Sequence, residues 1–247
     1  MKLFLSITLL LLNSITFAQN KEVASTSMPK IGAYPDKDVV VYKNALSLGD
    51  LETATNALHY IIAANPNGAI YKDTLALLYL QRGYYRQAQV LTMPLYQEKE
   101  NETRTEVLAI CAKQLGQQIE AIDLYKKLYR TTKNNNYAFE QLQLEYDIKR
   151  LTESKLTAEA LLLALPSDDK TKLTVQKLDN KTVQQISLKA GIYYILGTIY
   201  FDMNDRVQAL QQFEKAIALQ PDYDLALQAI QLLTKKDEVE NNTKKKK

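Results

Sequence analysis

Apolar residues recur along most of this chain at spacings of three and four, the pattern of helices that bury one face. Ala76, Leu77, Tyr79 and Leu80 precede Gly83, and Ala88, Leu91 and Leu95 follow it, which predicts a helix, a tight turn at the glycine and a second helix. The same arrangement surrounds Gly49 and Gly116. Each of these glycines is followed five residues later by a small residue, Ala54, Ala88 or Ala121, and the glycines themselves lie 34 and 33 residues apart. A period of this size predicts a stack of helix-turn-helix units, each burying its apolar face against its neighbours. Pro94 falls inside the second helix of the second unit. There it removes a backbone hydrogen bond and crowds the Val90 carbonyl at a cost of about 3 kcal/mol, so a kink or an early end is expected.

The sharpest copy of the period runs Tyr193, Leu196, Gly197, Tyr200, then Ala209, Phe213, Ala216 and Pro221. Small Gly197, Ala209 and Ala216 let paired helices approach closely, while the aromatic and leucine side chains fill the space between them. This block resembles the tetratricopeptide repeat, with Tyr193 where the family often has Trp. The resemblance implies an all-α, right-handed superhelical solenoid, and it is specific over 190–223. The block 35–68 carries Gly49-Asp50, Ala54, Leu58 and Pro66; blocks 69–101 and 102–135 keep the glycine and the alanine but lack the closing proline.

From Ala121 to Ala209 is 88 residues, two periods of 34 plus 20. One degenerate repeat, 136–166, and one insertion, 167–187, account for that distance. Around Asp179-Asn180 the period changes from helical to alternating, in Leu173 to Leu178 and Lys181 to Ile186, which predicts a β-hairpin outside the helical stack; a disordered loop is the alternative. Residues 222–235, with Leu225, Ala226, Ala229, Ile230, Leu232 and Leu233, complete five helix pairs with a capping helix. A basic disordered tail is expected from 236 to 247.

Ahead of the repeats, Lys2, the apolar run Leu3 to Leu12 and a polar stretch ending at Ala18 read as a secretory signal peptide over 1–18. The segment 19–34 then leads into the first repeat. The apolar run is too short to span a bilayer, and no later stretch is long or apolar enough to do so. The single cysteine, Cys111, is far from any cleavage point, so no lipid attachment is implied. The expectation is a chain that is exported and soluble in a periplasmic or extracellular space, without an integral membrane span.

Charge changes the picture little. The net +3 falls to +2 without Lys2, and residues 235–247 alone carry six Lys against Asp237, Glu238 and Glu240, leaving the body at −1. A basic frayed end, rather than a basic folded face interleaved with aromatics, argues against nucleic acid as a partner. Lys126, Lys127, Arg130 and Lys133 cluster in the last turns of a predicted helix, where cations complement the helix dipole.

One His, one Cys and no Trp leave no material for a metal site or a disulfide framework, and no cofactor is implied. His59 is predicted to face outward, and Cys111 sits on an apolar stripe with Ala109 and Ile110 as a core thiol. Nucleophile elbows, phosphate-binding loops and zinc-protease motifs are absent from the sequence, so an enzyme is not expected.

What the resemblance implies instead is an exported interaction scaffold holding a protein or peptide segment on a concave face. Carried over by repeat position, that face holds Val39, Lys43 and Leu46; Asp73, Leu77 and Leu80; Glu106, Ile110 and Lys113; and Tyr194, Thr198 and Phe201. The carboxylate clamp of chaperone-binding members does not carry over, because its positions hold Val39, Lys43 and Thr74. Two other readings stay open. One is a structural subunit of a cell-envelope complex that uses the convex face and the hairpin. The other is a small-ligand or glycan binder drawing on the 16 Tyr.

Overall fold

The computed structural model describes residues 37–179 and 181–244, with side chains described as far as Thr234. The expected leader 1–18 and the segment 19–34 lie outside those residues. Helices in chain order are α1 (Lys37–Ser47), α2 (Leu51–Ala64), α3 (Ala69–Gln81), α4 (Tyr85–Glu98), α5 (Glu102–Gln114), α6 (Gln118–Thr132), α7 (Asn135–Asp147) and α8 (Leu151–Ala164). A hairpin of β1 (Lys172–Gln176) and β2 (Val183–Ser187) follows, and α9 (Leu188–Asp202), α10 (Arg206–Leu219) and α11 (Asp224–Lys244) end the described chain. Among the described residues these elements make five helix pairs, a closing helix and one hairpin insertion, the all-α tetratricopeptide-repeat fold. Contacts divide it into two compact units that meet in sequence at Leu144 and Glu145.

One turn geometry builds every pair. Gly49, Gly83 and Gly116 adopt positive φ of 73°, 76° and 75°, and Lys149 and Asn204 occupy the same place at 61° and 63°. After each of them, the next backbone N–H reaches back five residues to a helix carbonyl. These bonds run from Asp50 to Ala45, Tyr84 to Tyr79, Gln117 to Ala112, Arg150 to Glu145 and Asp205 to Tyr200, at 2.8–2.9 Å. This bond closes a Schellman motif and satisfies a carbonyl that the helix end would otherwise orphan.

In the N-terminal unit, Ala45, Ala54, Leu58, Ile61, Leu75 and Leu78 form one core cluster, with Val39 and Tyr42 of α1 and Tyr71 of α3 packed against it. Leu80, Ala88, Val107 and Cys111 form the next, flanked by Leu77 and Ile110. Ala54, Ala88 and Ala121 are each fully buried, as expected of residues that set how closely two helices approach. Pro94 does not end α4, which continues to Glu98. Pro94 itself is exposed.

In the C-terminal unit the hairpin is antiparallel, pairing Leu173 with Ile186 and Val175 with Gln184. The two-residue Asp179-Asn180 turn expected from sequence is wider than that. Lys177 N–H bonds the Thr182 carbonyl at 2.9 Å, and the Asp179 carboxylate accepts from Lys181 N, Thr182 N and the Thr182 hydroxyl, gathering the loop around its side chain. Asn180 lies outside the described residues. The hairpin is not a loose decoration either: Leu173, Val175 and Ile186 are buried, and both strands contact α9. Buried Gln184 donates to the Asp222 carbonyl at 2.5 Å and accepts from Asp224 N, which fastens the insertion to the start of α11. Finally, α11 runs on to Lys244 through the stretch expected to be disordered. That stretch lacks Gly and Pro and is rich in Lys and Glu, which favour helix.

Candidate functional site

The first helices of four pairs, α1, α3, α5 and α9, supply the residues expected to face a partner; none is expected from the degenerate fourth repeat. On α1, α3 and α5 they fall at i, i+4 and i+7, a spacing that places each set on one stripe of its helix. The three stripes have different fates.

Most of their charges are consumed between neighbouring helices. Asp73 of α3 accepts from Arg104 of α5 through both oxygens, Nε to Oδ1 at 2.9 Å and Nη2 to Oδ2 at 2.7 Å. The same guanidinium donates through Nη1 to the Leu95 and Lys99 carbonyls, each at 2.7 Å. Asp73 therefore holds Arg104 more firmly protonated than an isolated arginine, against the burial that opposes its charge. One step along, Glu106 accepts from the Tyr137 hydroxyl at 2.9 Å, and Lys113 pairs with Glu140 at 2.5 Å, linking α5 to α7. Burial, reinforced by Glu106, pushes the Tyr137 hydroxyl well above its ordinary range, so it stays a donor.

Two expected surface residues are core residues instead. Leu80 is 4% exposed and Tyr194 is 2% exposed. Leu80 faces the next helix pair with Ala88 and Val107. Tyr194 packs against Phe213 and Tyr223 with ring centroids 5.7 and 5.3 Å away. What remains open in the N-terminal unit is Lys43 and Leu46, both exposed, and Leu77 and Ile110, both half-buried; Val39 is half-buried against the first core cluster. In the C-terminal unit, Thr198 spends its hydroxyl on the Ile195 carbonyl at 2.7 Å, and Phe201 stays 44% exposed.

Sequence reasoning missed a second polar cluster in that unit. The Asp202 carboxylate accepts from the Tyr146 hydroxyl at 3.0 Å and pairs with Lys149 at 2.8 Å, and the Lys149 ammonium also sits 4.5 Å above the Tyr146 ring. The signal was present only as a lysine standing one period after Gly116.

Elsewhere in the N-terminal unit, a polar cleft is lined by Glu100, Asn101, Glu102, Thr105, Lys127 and Asn134. Its Lys127 is bound to Glu100 and to the Tyr96 hydroxyl. His59 is exposed, with Nε2 2.8 Å from the Tyr79 hydroxyl. Cys111 is fully buried, and desolvation pushes its thiol up to about 12. Among the described residues no group of His, Cys, Asp and Glu is placed to hold a metal ion, and no helix is long and apolar enough to cross a membrane.

Comparison with known proteins agrees with this architecture. The tetratricopeptide repeat model matches residues 190–223. No curated protein matches the sequence. Among solved structures the chain is similar to YrrB, described as a TPR protein with an unusual peptide-binding site. That match has 18% identity and a TM-score of 0.60, covering 78% of this chain and 89% of that one. It is also similar to MamA, at 13% identity and a TM-score of 0.58 over 74% of this chain and 90% of that one. MamA from Desulfovibrio magneticus matches at 13% identity and 0.57, covering 78% and 99%. At these identities the likeness bears on fold, and what it establishes is that this chain folds as a tetratricopeptide-repeat solenoid.

Proposed function

We propose that the chain is an exported, non-enzymatic interaction scaffold that holds a protein segment against the first-helix face of its N-terminal unit. The observation that carries this reading is the pair Leu77 and Ile110. Both stay partly open on neighbouring first helices, while the charges beside them are tied into inter-helix pairs. Burying what remains exposed of these two side chains against a partner would remove further apolar surface from water without breaking the ion pairs beside them. The peptide-binding site named for YrrB supports the reading by fold likeness alone.

A second reading has its own observation. On α8, Leu156 and Leu163 are 60% and 88% exposed and lie seven residues apart on one stripe with exposed Ala160. A subunit of an envelope complex would use such a stripe in a permanent contact. Photo-crosslinking residues placed at Leu77, Ile110 and Leu163 of the full chain, in its native cell, separate the two. Partner adducts at 77 and 110 support the scaffold; adducts at 163 alone overturn it in favour of the subunit. N-terminal mass analysis tests export, since material beginning at Met1 in the exported fraction is incompatible with cleavage after Ala18.

A further inference from the structure

Among the described residues the sheet of the hairpin insertion has two strands, so each strand has an outer edge. Along an antiparallel ladder, residue pairs that exchange backbone bonds alternate with pairs that do not. Leu188 N–H donates to the Thr171 carbonyl and Lys177 N–H to the Thr182 carbonyl, each at 2.9 Å. In the register that sets Lys172 opposite Ser187, these two bonds put Leu173 and Val175 in bonded pairs with β2. The backbone groups of Lys172 and Thr174 therefore point away from β2. Neither residue makes a backbone hydrogen bond on that side among the described residues.

The side chains along this edge alternate in character. Leu173 and Val175 are buried on the inner face, where both strands contact α9. Thr174 is half-buried and Lys172 exposed on the outer face, and Lys172 forms no ion pair among the described residues. A strand laid beside β1 would extend an apolar inner row and meet one available cation on its outer row. The edge of β2 offers less. Its inner row holds Gln184, whose side-chain amide is already spent on Asp222 and Asp224.

An open edge is a template for a further strand, and a lysine on it disfavours pairing with a second copy. Two copies of β1 paired antiparallel about Thr174 would set Lys172 against Gln176, leaving the cation without an acid. We infer that the free edge of β1 binds an acidic extended segment of another protein as a third, antiparallel strand of the form apolar-x-apolar-acidic. Read from its N-terminus, the segment sets its two apolar side chains beside Val175 and Leu173. The residue between them exchanges both backbone bonds with Thr174, and the carboxylate meets Lys172. Backbone bonds supply affinity in strand addition, and alternate side chains supply specificity. The site belongs to the C-terminal unit alone and is independent of the first-helix face of the N-terminal unit.

The test uses the full chain and fluorescent ten-residue peptides carrying Val-Thr-Val-Glu in a Ser/Thr background. Binding is read by anisotropy, and amide hydrogen exchange of the protein is followed with and without peptide. N-methylation of the peptide at Thr or Glu should abolish binding, because those amides face β1, whereas methylation at either Val should be tolerated. The Lys172 and Thr174 amides should gain protection, while those of Leu173 and Val175, already bonded to β2, should change little. Replacing the peptide Glu by Lys should weaken binding about five-fold, and Lys172→Glu should reverse that preference. Loss of the charge preference alone overturns the acidic assignment. Protection at Gln185 in place of Thr174 would assign the β2 edge, and concentration-dependent protection without peptide would assign a second copy; either overturns the inference. So does an absence of binding at millimolar peptide, or binding indifferent to which amide is methylated. Crosslinks at Leu77 and Ile110 lie in the other unit, so the scaffold reading stands or falls separately.

Discussion

The ring of Phe213 on α10 occupies the space that a side chain on Gly197 of α9 would need: a Cβ there would lie 2.5 Å from both Cδ1 and Cε1 of the ring. Tyr194 lies against the same ring, and Phe213 is 2% exposed, so the ring has little room to retreat. Gly197→Ala should therefore destabilise the C-terminal unit by about 1–3 kcal/mol, as overpacking does in a well-filled core. Phe213→Ala should cost about 3–5 kcal/mol by opening a cavity. In the double variant the Gly197→Ala penalty should shrink, because the clashing ring is gone. Urea unfolding of the four proteins measures this coupling, and strictly additive losses would contradict the assigned contact.

How much was legible in the sequence follows from which residues carried a signal of their own. Gly49, Gly83 and Gly116 announce their turns because φ above zero favours glycine. Lys149 and Asn204 adopt the same conformation without that mark, so the turn of the degenerate repeat was hidden. The alternation of Leu173, Val175, Gln184 and Ile186 revealed a hairpin, but not that its inner face would join the core. Periodicity reports which face is apolar, not what covers it. The positions carried over by repeat number form one stripe on each of α1, α3 and α5. They failed at Leu80 and Tyr194, where tertiary packing encloses the stripe. The ion pairs that consume Asp73 and Lys113 join residues 27–31 positions apart, and no local pattern encodes such partners.

Thr92 stands where the fifth pair has Phe213, and its hydroxyl is buried without a hydrogen-bond partner. The residue is 1% exposed. An orphaned buried hydroxyl costs about 1–3 kcal/mol, and valine has nearly the same shape. Thr92→Val should raise the stability of the N-terminal unit by about 1 kcal/mol. A lower unfolding midpoint would mean that the hydroxyl has a partner in solution.

The left-handed turn residues make opposite predictions. Asn204 carries only the conformational strain of a side chain at positive φ, so Asn204→Gly should be neutral or stabilising by up to about 1 kcal/mol. Lys149 carries similar strain but also binds Asp202 and covers the Tyr146 ring. Its exposed ion pair is worth less than about 1 kcal/mol, comparable to the strain relieved, so Lys149→Gly should change stability little. Lys149→Ala keeps the strain and loses the contacts, and should be the worst of the three. Thermal melts ranking it above Lys149→Gly would show that the turn conformation does not matter here.

Arg104 is the most heavily bonded side chain on the first-helix face, with two bonds to Asp73 and two to the carbonyls that end α4. Arg104→Ala leaves Asp73 and those carbonyls without their donor and should cost about 3–5 kcal/mol. Arg104→Lys should recover little of it, because one ammonium cannot reproduce the two-pronged contact while also reaching both carbonyls. Full rescue by lysine in a denaturant titration would reduce the interaction to simple charge attraction.

Cys111 gives the N-terminal unit a pH dependence whose sign can be worked out. In the folded protein, burial raises its thiol to about 12, whereas in the unfolded chain it ionises near 8.5. Below about pH 8.5 neither state has lost the proton, and the stability gained by burying a neutral thiol is fully present. Between there and about 12 the unfolded chain releases a proton that the native protein retains, so stability falls as pH rises. Buried Tyr125 and Tyr223 are raised in the same direction, chiefly by desolvation, which a Cys111→Ala variant keeps; only the small part of the Tyr125 shift that comes from Cys111 goes with the thiol. The parent should therefore lose stability more steeply than Cys111→Ala between pH 8 and 10.5 in urea titrations, even though the variant starts lower because of its cavity. A disulfide reagent at pH 7.5 should label Cys111 only as fast as the native protein opens. Equal pH slopes together with immediate labelling would place this thiol at the surface.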